Sequence, residues 1–122
     1  MLVVDDDAPV RLMVVSAFEE ETIEVIAAAS GAEALQMLAL RSTEPVLVLV
    51  DVLMPGMDGL TLARRMQAKL KRGTIVFMSG HMTDLSWWPV DLREIAFLPK
   101  PFRLVSLMDH LAEARANYHG KK

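Results

Sequence analysis

Three aspartates in a row, Asp5, Asp6 and Asp7, follow the apolar stretch "MLVV" that opens the chain. Like charges this close repel and raise one another's pKa, so something must offset them. A bound cation is the simplest candidate. A fourth carboxylate, Asp51, lies near the end of the apolar run "VLVLVDV" and precedes "MPGMDG". Hard divalent cations take oxygen ligands, and Mg2+ in particular keeps several waters and uses one or two carboxylates plus a phosphate. Asp5, Asp6 and Asp51 supply such a nest, while Asp7 reads as a helix-start carboxylate facing solvent. Alone, the triple aspartate would also suit a solvated turn; Asp51 on an adjacent strand favours the metal. A carboxylate can also attack phosphorus to give an acyl phosphate. That chemistry needs a metal to neutralise the phosphoryl oxygens and donors for the remaining ones. Lys100 is the candidate fixed cation and Ser79 the candidate hydroxyl donor. Singly, Ser79 is an ordinary strand-end residue and Lys100 an ordinary surface lysine; only the ensemble makes either special.

The elements that must carry these groups are legible as alternating apolar and amphipathic stretches. Apolar runs predict strands at Met1–Val4, Thr22–Ala29, Val46–Val52, Thr74–Gly80 and Ile95–Pro99. Val10, Met13, Val14, Ala17 and Phe18 repeat at helical spacing, as do Leu104, Leu107, Met108, Leu111 and Ala112. Pro9 suits a first helical turn, and Ser30 with Glu33 forms a capping-box pattern for a helix over Ser30–Ser42. Leu62, Ala63, Met66 and Leu70 mark a further helix after "MPGMDG", which reads as a loop. Strands alternating with helices five times over imply a parallel sheet covered on both faces. Working sites of such sheets lie beyond the carboxyl ends of the strands. Asp5, Asp6, Asp51, Ser79 and Lys100 all fall there. The stretch His81–Glu94 breaks the pattern, because Pro89 sits mid-segment beside Trp87 and Trp88. A short, broken or displaced fourth helix is expected.

The 122 residues amount to one ordinary domain, and at 52% hydrophobic content they can fill a core. There is no cysteine, hence no disulfide or thiolate metal site. A net charge of −3 gives no basic surplus for phosphate-backbone binding, so no direct nucleic-acid partner is expected. No segment has the form of a signal peptide or the length of a membrane span. The expected setting is soluble and intracellular. The nine methionines read mostly as core filler.

"LVVDDD", "VLVLVDVLMPGMDG", "IVFMSG" and "FLPKPF", in this order, resemble the receiver domain of bacterial two-component response regulators, in the manner of the chemotaxis regulators. The resemblance covers essentially the whole chain, so 1–122 is expected to be a single receiver domain. It implies a doubly wound, flavodoxin-like α/β fold with a five-stranded parallel sheet in the order 2-1-3-4-5. It makes Asp51 the phosphoacceptor, fed by a sensor histidine kinase or phosphotransfer domain. Asp5 and Asp6 match the acidic metal pair, and the backbone carbonyl of Leu53 would complete the Mg2+ ligands with Asp51. Ser79 matches the switch hydroxyl, Lys100 its lysine partner, and Phe97 the aromatic switch residue. Phe97 also suits a permanently buried ring. The Lys100–Pro101 peptide is expected to be cis.

The sequence departs from the family at Leu53, where many relatives carry a polar side chain, and around His81. Leu53 would overhang an acyl phosphate and exclude water; His81 reads as a solvent-facing loop residue. The face His81–Asn117 is the expected output surface. Trp87 and Trp88 either form a partner or homodimer contact there or fill the gap of the missing helix. Two rivals remain. A haloacid-dehalogenase-like phosphatase would need a second aspartate two residues past the first, where Leu53 stands. A degenerate receiver serving as a phosphorylation-independent binding module would lack an acid, hydroxyl or lysine that is present here. A stand-alone regulator and a receiver within a longer protein both remain open.

Overall fold

The computed structural model describes residues 1–20, 22–80 and 89–120. Five strands, β1 (Leu2–Val4), β2 (Ile26–Ala28), β3 (Leu47–Asp51), β4 (Thr74–Ser79) and β5 (Ala96–Pro99), form one parallel sheet in the order β2-β1-β3-β4-β5. The helices among the described residues are α1 (Ala8–Ala17), α2 (Gly31–Ala39), α3 (Gly59–Gln67) and α4 (Leu104–Gly120). The doubly wound expectation holds, with the same strand order.

The alternation of side chains along β3 shows how the two layers form. Val48 and Val50 face the layer of α2 and α3, packing with Ala34, Leu62, Ala63 and Met66. Leu47 and Leu49 face the layer of α1 and α4, packing with Val14, Phe18, Leu107, Leu111 and Ala114. All of β3 is buried, as a central parallel strand covered on both faces requires. Each fully buried aliphatic side chain contributes about 1.5–3 kcal/mol relative to exposure, so this strand anchors the rim it ends on.

Local signals act as expected at two helix starts. The Ser30 hydroxyl accepts from the Glu33 amide at 3.2 Å, and Pro9 occupies the first turn of α1. Other expectations need correction. Gly59 opens α3 rather than ending a loop; Asp58 caps that helix by accepting from the Thr61 amide at 2.8 Å. A Cβ on Gly59 would lie 2.2 Å from the Asp51 carbonyl oxygen, so only glycine lets α3 start against the end of β3. The helical stripes also overreach. Met13, Leu104 and Met108 are exposed at 46%, 48% and 43%. A helix lying on a sheet buries a limited arc, and α4 spends its arc on Leu107, Leu111 and Ala114.

Of the stretch His81–Glu94, residues 81–88 lie outside the described residues, and with them the expectations for His81, Trp87 and Trp88. The remainder forms a 3-10 turn over Val90–Leu92 that follows Pro89. Leu92 is fully buried against the α2–α3 face, and the exposed Asp91 makes a two-point ion pair with Arg64 of α3 at 2.8 and 3.1 Å. Among the described residues no helix is long and apolar enough to cross a membrane.

Candidate functional site

The parallel register brings the expected residues together at one rim. Asp5 follows β1, Asp51 closes β3, Ser79 closes β4, and Lys100 follows β5. β1 lies beside β3 and β3 beside β4, with Asp51 opposite Met78. Ser79 pairs with Pro99 in register, and its carbonyl accepts from the Lys100 amide at 2.9 Å. The Lys100–Pro101 peptide is cis, as the sequence reading expects.

Asp5 is fully buried, and Asp51 and Ser79 are only 6% and 3% exposed. Asp6 is exposed at the edge of the same cluster. Carboxylate oxygens of Asp5, Asp6 and Asp51 all lie within 4.8 Å of one another, a set that could hold a metal ion. Hard oxygen donors at this spacing fit a small divalent cation. Asp7 is the exposed N-cap residue of α1, without a side-chain capping bond.

One ammonium serves two of these acids. Lys100 Nζ donates to Asp5 Oδ2 at 2.6 Å and lies 3.5 Å from Asp51 Oδ1. The tighter contact is thus to Asp5, a partner that the sequence reading of Lys100 as the fixed cation of the rim did not single out. Burial, and then the negative charge of Asp5, push the Asp51 carboxyl up to about 6, against the pull of Lys100. For Lys100, burial opposes the charge, but the hydrogen bond and charge of Asp5, joined by Asp51, hold the ammonium above its ordinary range.

Two further expected positions flank the cluster. Leu53 has 56% of its surface exposed two residues past Asp51, free to overhang whatever binds there. Phe97 is half-buried on β5, packed against the α2–α3 face. Sequence reasoning missed Arg11. Its guanidinium Nη1 donates to the Asp5 carbonyl oxygen at 2.7 Å. The only available signal was its place on α1, six residues past Asp5.

The response regulator receiver domain family model matches residues 1–112. Sensor kinase CckA of Brucella abortus is 36% identical over 115 residues, covering 93% of this chain and 12% of CckA. Sporulation initiation phosphotransferase F of Bacillus subtilis is 28% identical over 110 residues, covering 89% of this chain and 87% of that protein. The solved receiver domain of the hybrid histidine kinase CckA is similar with a TM-score of 0.76 at 30% identity, covering 93% of this chain and 95% of that one. The chain therefore belongs to the response regulator receiver domain family of two-component systems, a family of signalling domains. It spans a small part of some relatives, such as 24% of the DNA-binding transcriptional regulator NtrC of Escherichia coli.

Proposed function

We propose that residues 1–122 act as one cytoplasmic phosphoacceptor switch, with Asp51 as the acceptor and Mg2+ as the cofactor. The observation that carries this is the gathering of Asp5, Asp6 and Asp51 within 4.8 Å, with Lys100 bridging Asp5 and Asp51. The donor is a phosphohistidine on a sensor histidine kinase or phosphotransfer domain. An Asp51 carboxylate oxygen attacks phosphorus, an O–P bond forms and the P–N bond breaks. The electron pair leaves on the imidazole nitrogen, which takes a proton from water. Asp5, Asp6, Asp51 and the Leu53 carbonyl would hold the Mg2+, which when bound neutralises phosphoryl oxygens.

The chain's own groups do the rest. Lys100, already held beside Asp51, stabilises the charge that develops on the phosphoryl group. The Ser79 hydroxyl at the end of the adjacent strand supplies a donor to it and, with Phe97, carries the change toward the described part of the His81–Asn117 output face. Exposed Met13 of α1 and Leu104, Val105 and Met108 of α4 give a protein donor an apolar footing. Leu53 provides no second acid for hydrolytic turnover, so the role is signalling rather than metabolic.

The test is incubation of the purified chain with acetyl phosphate, scored by intact mass. A single phosphoryl adduct is expected that requires both Mg2+ and Asp51, and so is absent from Asp51→Asn. Binding of Mg2+ without any adduct would instead favour a phosphorylation-independent binding module.

A further inference from the structure

Every polar group of Asp5 is committed. Its amide donates to the Ala28 carbonyl at 3.1 Å. Its Oδ1 accepts from the Asp7 amide at 2.9 Å and its Oδ2 from Lys100 at 2.6 Å. Its carbonyl oxygen takes the Arg11 guanidinium at 2.7 Å, and the Arg11 amide in turn donates to the Asp7 carbonyl at 3.2 Å. Residues 5 to 11 thus close on themselves. Asp6 is the exposed member of the group, with a carboxylate oxygen within 4.8 Å of those of Asp5 and Asp51.

The Asp5–Asp6 peptide is planar, so fixing the Asp5 carbonyl oxygen also fixes the nitrogen and Cα of Asp6. From this we infer that Arg11 is a positioning residue for the Asp6 carboxylate, setting the affinity of the site for a divalent cation without touching it. The inference rests on the Mg2+ reading of the same cluster. Geometry and electrostatics predict opposite signs here. A guanidinium beside a cation site repels the cation, so removing its charge alone would tighten binding. Removing an orienting hydrogen bond loosens it, by roughly 10- to 100-fold for groups behind a metal ligand.

The experiment is calorimetric titration of the full chain with MgCl2 alone, with melting temperature measured in parallel. Arg11→Met is expected to weaken Mg2+ binding at least about tenfold. Arg11→Lys keeps a charge and one donor and is expected to fall between Arg11→Met and the wild type. Tighter binding in Arg11→Met, or unchanged binding with only a lower melting temperature, would overturn the inference while leaving the Mg2+ reading intact. Were Arg11→Met to lose its fold, Arg11→Lys decides: roughly three- to tenfold weaker binding is expected, and an unchanged affinity overturns the inference. No binding by the wild type would overturn both.

Discussion

The two ends of the sheet use the same carboxylate chemistry to opposite effect. At the amino end, Glu44 precedes β3 and accepts the backbone amides of Lys71, Arg72 and Gly73. Burial pushes its pKa up, but the three amides and the charge of Arg72 prevail and hold it below the usual range. Nearby Glu24 pairs with Arg41. At the carboxyl end, three carboxylates gather around a single ammonium that reaches only two of them, Asp5 and Asp51, and Asp51 is pushed up to about 6. Where donors match acids, a carboxylate is a staple. Where acids outnumber donors in a buried place, the site is short of positive charge and ready for a cation.

Breaking the crowded end gives the largest effects. Lys100→Met removes the cation that the phosphoryl group would meet and leaves buried Asp5 without its ion-pair partner. Labelling by acetyl phosphate should slow by about 100-fold or more. Unfolding free energy should drop by roughly 3 kcal/mol, read by denaturant titration. Equal labelling rates would remove Lys100 from the mechanism.

Asp51→Asn should do the reverse to stability when no metal is present. A raised carboxyl pKa means that the folded state keeps its proton where the unfolded state, near 3.8, has lost it. The penalty is therefore fully present above about pH 6 and fades as pH falls toward 4. In chelator, Asp51→Asn should be more stable than wild type at pH 7.5 by up to about 3 kcal/mol, with the gap closing at pH 4. A gap that is constant with pH would contradict the crowding.

The satisfied end should respond weakly and with the opposite sign. Glu44→Gln should cost about 1 kcal/mol at pH 7. Because its folded pKa is depressed, that cost is present above about pH 4.5 and is lost on acidification through the folded value. Phosphoryl labelling should not change. Smallest of all is Leu53→Asn, which admits water beside the acyl phosphate. It should speed loss of the adduct about threefold, under 1 kcal/mol of barrier, followed by intact mass over time.

Much of this contrast was legible in the residues. β3 announces itself as an unbroken apolar run, and the parallel order then places Asp5, Asp51, Ser79 and Lys100 on one rim without further information. What was not legible depends on contacts between distant segments. Which of two aspartates Lys100 prefers is decided by about an ångström of side-chain placement. The value of Gly59 lies in a backbone approach from β3, which no local pattern encodes. Met13, Leu104 and Met108 satisfy the helical period yet miss the buried arc, because periodicity gives a direction but not a width. Arg11 looks like any surface arginine until the Asp5 carbonyl is seen beneath it.

The central claim is that Asp51 itself carries the phosphoryl group. Acetyl phosphate-labelled protein, reduced with borohydride and mapped by peptide mass spectrometry, addresses it directly, since an acyl phosphate is reduced to an alcohol while a phosphoserine is not. The account predicts homoserine at position 51. Phosphate on Ser79, or reduction at any other aspartate with residue 51 unchanged, would contradict it.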